Sequence, residues 1–301
     1  MLKKKPLWLK QKILSGAVSR KVKSLIEDLH LNTVCSEAKC PNAGECFSAG
    51  TATFLILGNQ CTRSCGFCAI GHGPPQPPDP DEPYNIAEAA ENLGLKHVVI
   101  TSVTRDDLPD GGAGHFTAVI HEIRNRVPHG TIEILVPDFG GELKSIETIV
   151  SAQPDIINHN IETVPRLYKY ARPESDYQRS LSLLSMVHRI NPAIKTKSGM
   201  MLGLGENADE IMTALHDLIN TGCSLITLGQ YLQPSEKHLP VSRFVSPEEF
   251  EYWKVEARKL GFKGIASGPF VRSSYNAGKL LDTVKTHITI MNPVNQKNHR
   301  A

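Results

Sequence analysis

Thr53-Phe-Leu-Ile-Leu57, running directly into Gly58-Asn-Gln-Cys61-Thr-Arg-Ser-Cys65-Gly-Phe-Cys68, is the passage on which the fold turns. Its first five residues are apolar and β-prone, and its last eight hold three cysteines. A short buried strand that empties into a loop of chemically reactive side chains is the opening of an α/β unit. Downstream, the same alternation recurs. A Gly/Pro-rich segment over 71–83 leads to a helix over 85–95, with Ile86, Ala89, Ala90 and Leu93 at helical spacing. Strands follow at 97–101, 131–136, 155–158, 193–200 and 224–228, and helices at 115–127, 178–190, 207–221 and 247–260. Ser246 is the expected N-cap of the last helix with Glu249 at the capping-box position, Gly261 ends it, and 262–267 offers a seventh strand.

Strands separated by helices of 10–15 residues require right-handed crossovers and a parallel sheet. The expected fold is therefore α/β, a partial (β/α)6 barrel over 51–270 with an N-terminal extension (1–50) and a C-terminal one (271–301) that ends in a polar tail over 292–301. A doubly wound open sheet is the alternative, because periodicity does not reveal whether a sheet curls. In both, chemistry gathers beyond the carboxyl ends of the strands, where the cysteine loop falls.

With 33 basic and 31 acidic residues, the chain has no charge imbalance that would draw it to nucleic acid or a bulk membrane surface. Its basic start lacks the apolar segment of a signal peptide, and no run of about 18 apolar residues is present to span a bilayer. The expected location is the cytoplasm. Six of the seven cysteines (Cys35, Cys40, Cys46, Cys61, Cys65, Cys68) fall within 34 residues, and Cys223 stands apart. An odd, clustered set in an intracellular chain points to metal ligands or redox groups before disulfides.

Cys61, Cys65 and Cys68 have C-x3-C-x2-C spacing. A cubane iron–sulfur cluster takes one ligand per iron, so three thiolates leave one iron open to an amino-acid-like chelator. A closed zinc site is the competing reading, but zinc takes four ligands, often as paired C-x2-C elements. Cys35, Cys40 and Cys46 form a second triad, C-x4-C-x5-C, whose fourth ligand lies elsewhere. Cys223 is a candidate by elimination, though a lone cysteine opening an apolar strand is more often a small buried hydrophobe.

At these residues the chain resembles the lipoyl synthase family of the radical S-adenosylmethionine superfamily. The C-x3-C-x2-C loop, with Phe67 before its last cysteine, is the superfamily signature, and the upstream triad belongs to this family. The likeness covers about residues 5–280, through Lys5-Pro-Leu-Trp-Leu-Lys10, Val103-Thr-Arg-Asp-Asp-Leu-Pro-Asp-Gly-Gly-Ala113, Val136-Pro-Asp-Phe139, Asn158-His-Asn-Ile-Glu162, Gly229-Gln-Tyr-Leu-Gln-Pro234 and Arg272-Ser-Ser-Tyr275, among others. It implies two 4Fe-4S clusters and S-adenosylmethionine. The first cluster, on Cys61, Cys65 and Cys68, cleaves S-adenosylmethionine to a 5′-deoxyadenosyl radical. That radical abstracts hydrogen from C6 and C8 of an octanoyl chain on a carrier-protein lysine. The auxiliary cluster, on Cys35, Cys40, Cys46 and Ser274, donates the sulfurs. Biotin synthase, a rival within the superfamily, lacks both the upstream triad and the Arg-Ser-Ser-Tyr motif.

The resemblance also places Phe67, Asn160, Glu162, Arg172, Lys197 and Glu206 among the cofactor contacts, although each charged one equally fits a structural ion pair. It implies octanoylated partners (glycine-cleavage H protein and E2 lipoyl domains), an electron donor such as flavodoxin or ferredoxin, and cluster-assembly proteins. Asp106 and Asp107 beside Gly111 and Gly112 read as a solvated loop more readily than as a divalent-metal site. Arg105 is a candidate for positioning cofactor or substrate, His159 for a hydrogen bond in the barrel mouth, and the basic start for an acidic carrier.

Overall fold

The structure is a computed structural model that describes residues 4–10 and 16–282. The polar tail expected over 292–301 lies outside the described residues. Helix α1 (Ala17–Asp28) leads to a two-residue strand, Asn32–Thr33, and to two short helices, α2 (Val34–Glu37) and α3 (Ala43–Ser48). Seven parallel strands follow: β1 (Thr53–Ile56), β2 (His97–Ser102), β3 (Thr131–Leu135), β4 (Ile156–Asn158), β5 (Lys195–Leu202), β6 (Leu225–Gln230) and β7 (Gly264–Gly268). Between them lie α4 (Glu82–Asn92), α5 (Ala113–Arg126), α6 (Leu143–Ser151), α7 (Tyr168–Ala171), α8 (Tyr177–Ile190), α9 (Ala208–Asn220) and α10 (Pro247–Leu260).

Strand order in the sheet follows chain order from β1 to β7, and Asn32–Thr33 pairs antiparallel on the outer edge of β1. A doubly wound sheet reverses its order at a switch point; this one never does. With right-handed crossovers, the helices that connect consecutive strands fall on one face and the sheet curls around the other. The result is a partial barrel. Among the described residues no ladder joins β7 to β1, so it stays open. The seventh strand, beyond the six expected, is formed.

The strands are buried on both faces, as a parallel sheet covered by helices and curled around its own interior demands, with polar side chains such as Glu133, Asn158 and Lys197 among the buried ones. One large apolar core fills the space between strands and helices. A second, small cluster of Val22, Cys35, Phe47 and Ala52 lies in the N-terminal extension. Beyond Tyr275 the chain enters a helix at 277 and covers the amino-terminal end of the barrel. There Leu281 packs with Ile156 and Leu225.

One helix had no counterpart among the expected elements and one local expectation needs correction. Helix α6 is present where no element was assigned; Ile146, Ile149 and Val150 supply its buried stripe. Ser246 caps α10 by accepting from the Glu249 N–H, but Glu249 turns its carboxylate to Arg243 (2.6 and 2.8 Å) instead of closing the capping box. The complete box occurs on α9, between Asn207 and Glu210. No helix among the described residues is long and apolar enough to cross a membrane.

Candidate cluster and cofactor site

The cysteine loop is launched by a strained turn. Leu57, buried at the end of β1, takes a left-handed backbone (φ 66°), which costs a side-chain-bearing residue roughly 1–2 kcal/mol. Its neighbours hold it there. The Leu57 N–H donates to Glu82 Oε2 (2.9 Å), and Arg105 Nη1 donates to the Leu57 carbonyl (3.2 Å). Gly112, also left-handed (φ 92°), carries no Cβ that would collide with the Leu57 side chain.

Past the turn, the loop is fastened to the carboxyl ends of β2 and β3. The Thr104 N–H donates to Cys61 Sγ (3.3 Å) and the Thr62 N–H to the Thr104 carbonyl (3.1 Å). Arg63, buried between the first two cysteines, grips Asp106 with two donors at 2.8 Å each and Asp138 with a third at 2.6 Å. Burial alone would raise the Asp138 carboxyl; Arg63 more than offsets this and holds it below the usual range. The far side of the loop is clamped too. Gly66 donates to the Ala171 carbonyl and accepts from Leu239, and a Cβ there would stand 2.8 Å from the Tyr170 carbonyl. His238 Nε2 donates to the Cys68 carbonyl (2.9 Å), while its Nδ1 lies 2.9 Å from Ser235 Oγ.

The upstream triad is held differently. Cys35 lies on α2, where Thr33 caps by accepting from the Ser36 N–H; Cys46 lies on α3. The 270–275 segment closes over them. Asn42 Nδ2 donates to the Phe270 carbonyl and the Tyr275 hydroxyl to Glu45 Oε1, both at 2.7 Å. Ser274 lies between these two ties, with no side-chain hydrogen bond to protein among the described residues.

One cavity of about 480 Å³ joins the two groups, bordered by all six clustered cysteines and by Ser274. All seven thiols are free. Burial pushes Cys35 and Cys65 up to about 11, and Cys46 and Cys68 up to about 12, so each releases a proton when metal displaces it. Among the described residues no three His, Cys, Asp or Glu side chains meet as the ligands of a single ion. A cubane places each thiolate on a different iron, so its ligands stand apart. Arg172, which also borders the cavity, has a buried Nε with no partner, a donor that a bound acceptor would satisfy. The donor set fits two clusters and a small polar ligand.

Phe67, Asn160, Glu162 and Arg172 border this cavity. Arg172 Nη1 donates to the Asn160 carbonyl (2.8 Å), and burial raises the Glu162 carboxyl. Lys197 and Glu206 do not border it. Lys197 is fully buried against Glu133, and Glu206 accepts the backbone N–H groups of Gly203, Leu204 and Gly205 at 2.6–3.0 Å, fixing the turn after β5. Cys223 is fully buried, its sulfur 3.3 Å from the Leu225 carbonyl, and burial pushes it up to about 12. His159 is buried between the Val136 carbonyl and Ser180 Oγ and kept neutral, with burial and then Arg172 lowering it to about 4.

The loop of Asp106 and Asp107 is exposed and turns at Gly111 and Gly112, as expected, and its two carboxylates also receive Arg63 and Arg105. Arg105 is locked in the Leu57 turn, away from the cavity. Sequence reasoning missed Arg63, Asp138 and His238. Arg63 stood within the quoted motif, but only the cysteine spacing was read there.

The sequence pattern of the Radical SAM superfamily matches residues 55–218. Lipoyl synthase from Caldanaerobacter subterraneus subsp. tengcongensis is 54% identical over 277 residues, covering 92% of this chain and 97% of that one. Lipoyl synthase from Alkaliphilus metalliredigens is 53% identical over 281 residues, covering 93% and 97%. Among solved structures, HydG, a maturase of the FeFe-hydrogenase, superposes with a TM-score of 0.59 at 16% identity, over 89% of this chain and 67% of that one. That likeness concerns the fold alone.

Proposed function

The chain belongs to the lipoyl synthase family of the radical SAM superfamily, and from that premise we propose how its residues divide the work. The reaction is sulfur insertion at C6 and C8 of an octanoyl chain amide-linked to a lysine of a lipoyl carrier protein. When bound, the two 4Fe-4S clusters and S-adenosylmethionine supply the hydrogen-abstracting radical and the sulfur. No acid or base at neutral pH attacks an unactivated C–H bond, so the cofactors carry that chemistry and the protein supplies placement and shielding.

Cys61, Cys65 and Cys68 hold the first cluster, on a loop that Arg63, Asp106 and Asp138 fix against the strand ends. Cys35, Cys40, Cys46 and Ser274 hold the auxiliary cluster. Phe67, Asn160, Glu162 and Arg172 receive S-adenosylmethionine, with the unpaired Arg172 Nε donating to it. Lys197 and Glu206 act from behind the cavity wall. The division into 1–50, 51–270 and 271–301 follows the same roles: two extensions hold the sulfur donor and the barrel holds the radical source. The acceptors are the glycine-cleavage H protein and E2 lipoyl domains. Electrons come from a flavodoxin or ferredoxin, assembly proteins deliver the clusters, and the enzyme works in the cytoplasm.

The observation that carries this reading is that two three-cysteine groups and the Arg-Ser-Ser-Tyr serine border one cavity. Anaerobically reconstituted protein should hold about eight irons per chain. Given S-adenosylmethionine, dithionite and an octanoylated lysine peptide, it should release 5′-deoxyadenosine and add two sulfurs to the peptide by mass spectrometry. Zinc without sulfide in the purified protein, or a peptide of unchanged mass, would refute it.

A further inference from the structure

Lys197 and Glu133 face each other inside the barrel with no exposed side-chain surface on either. Lys197 Nζ lies 2.7 Å from Glu133 Oε1 and 2.6 Å from the Ser273 carbonyl. Glu133 also accepts from Asn158 Nδ2 (3.3 Å) and lies 3.4 Å from His97 Nε2. A buried ion pair adds little stability, because desolvating both charges offsets their attraction; it does set a fixed point in the interior. The group fixed here is the peptide carbonyl one residue before Ser274.

Two more features seat the same residue, and a third seats residue 271. Both ends of the Asn160 amide engage the Ser273 hydroxyl, Nδ2 donating at 2.7 Å and Oδ1 accepting at 2.9 Å. Gly199 on β5 leaves room for it, since a Cβ there would stand 2.9 Å from Ser273 Oγ and 2.7 Å from Asn160 Oδ1. Gly229 on β6 likewise leaves room for the Val271 carbonyl. Residues 271 and 273 are thus set into the barrel wall, while the Ser274 hydroxyl, at the cavity, has no hydrogen bond to protein among the described residues.

We propose that Lys197, together with Glu133 and Asn160, is a positioning group for Ser274: it anchors residue 273 so that the neighbouring hydroxyl is presented to the auxiliary cluster and returns to the same place when that cluster is rebuilt. The proposal rests on the reading of Ser274 as the fourth auxiliary ligand. It assigns Lys197 to the sulfur-donor side of the reaction and not to S-adenosylmethionine.

The test uses the full chain in two states. In iron-free protein, amide hydrogen exchange is followed by mass spectrometry. In reconstituted protein, iron release to a chelator is followed over time. Removing one charge leaves the other buried and threatens folding, so the key variant is the charge-neutral double Lys197→Met/Glu133→Gln, with Ser273→Ala as a milder second probe. Both should raise exchange across 270–278 by about tenfold, with the strand over 225–230 within about twofold of the parent. Both should also release the auxiliary half of the iron about fivefold faster and leave release from the 61–68 loop unchanged. Ser274→Ala should speed auxiliary iron release without altering exchange over 270–278. Unchanged exchange there in both anchor variants overturns the positioning role while Ser274 stands as ligand. Unchanged iron release in Ser274→Ala overturns the ligand assignment and the positioning role with it.

Discussion

Two cysteine triads border one cavity, and they are built in opposite ways. Cys61, Cys65 and Cys68 stand on a loop whose backbone is tied to the barrel on both sides and whose buried Arg63 spans two strand-end carboxylates. Cys35 and Cys46 stand on two short helices outside the barrel, with Cys40 on the connection between them. They are tied to the 270–275 segment at Asn42 and at the exposed Tyr275–Glu45 pair. The difference matches the roles proposed for the two sites. A radical source works unchanged through each turnover and gains from a rigid seat. A sulfur donor is dismantled and refilled, which a lightly fastened segment permits.

Breaking the two sides should give different failures. Cys65→Ala is expected to abolish both 5′-deoxyadenosine release and sulfur insertion, measured by coupled liquid chromatography and mass spectrometry. Cys40→Ala should abolish insertion while 5′-deoxyadenosine is still released, with iron falling from about eight per chain to about four. Loss of 5′-deoxyadenosine in Cys40→Ala would collapse the distinction.

Smaller effects sharpen it. Arg63→Met leaves the buried Asp138 with Arg179 at 3.4 Å and the Gly140 N–H at 3.2 Å, which should cost about 3 kcal/mol and be read as a drop in melting temperature. His159 tests the barrel side by pH. Its folded value is lowered from 6.5 to about 4, so between those values the unfolded chain binds a proton that the folded one refuses. Stability from this group is complete above pH 6.5 and falls by roughly 3 kcal/mol on acidification toward 4. His159→Gln should flatten the melting-temperature profile over that window. Last, Tyr275→Phe removes an exposed hydrogen bond worth about 1 kcal/mol or less; melting should barely move, while auxiliary iron is released a few-fold faster.

Strands such as β1, β2 and β6 were legible because they are largely apolar, β-prone runs, and strands in chain order left little choice of topology. Residues 140–152 were harder: Gly140 and Gly141 signal a loop, and the α6 stripe that follows is only nine residues long. The cysteine positions were legible from spacing alone. What fastens them was not, because Arg63 and Asp138 are 75 residues apart and meet only when β1 and β3 enter one sheet. Lys197 shows the same limit. A lysine in a family block reads as a ligand contact until the sheet brings Glu133, 64 residues away, against it.

Cys35 belongs to the small apolar cluster with Val22, Phe47 and Ala52. A thiol whose burial pushes it up to about 11 is uncharged at neutral pH as soon as no iron holds it. On the proposed ligand assignment, an emptied auxiliary socket therefore recovers a neutral packing partner in place of a stranded anion.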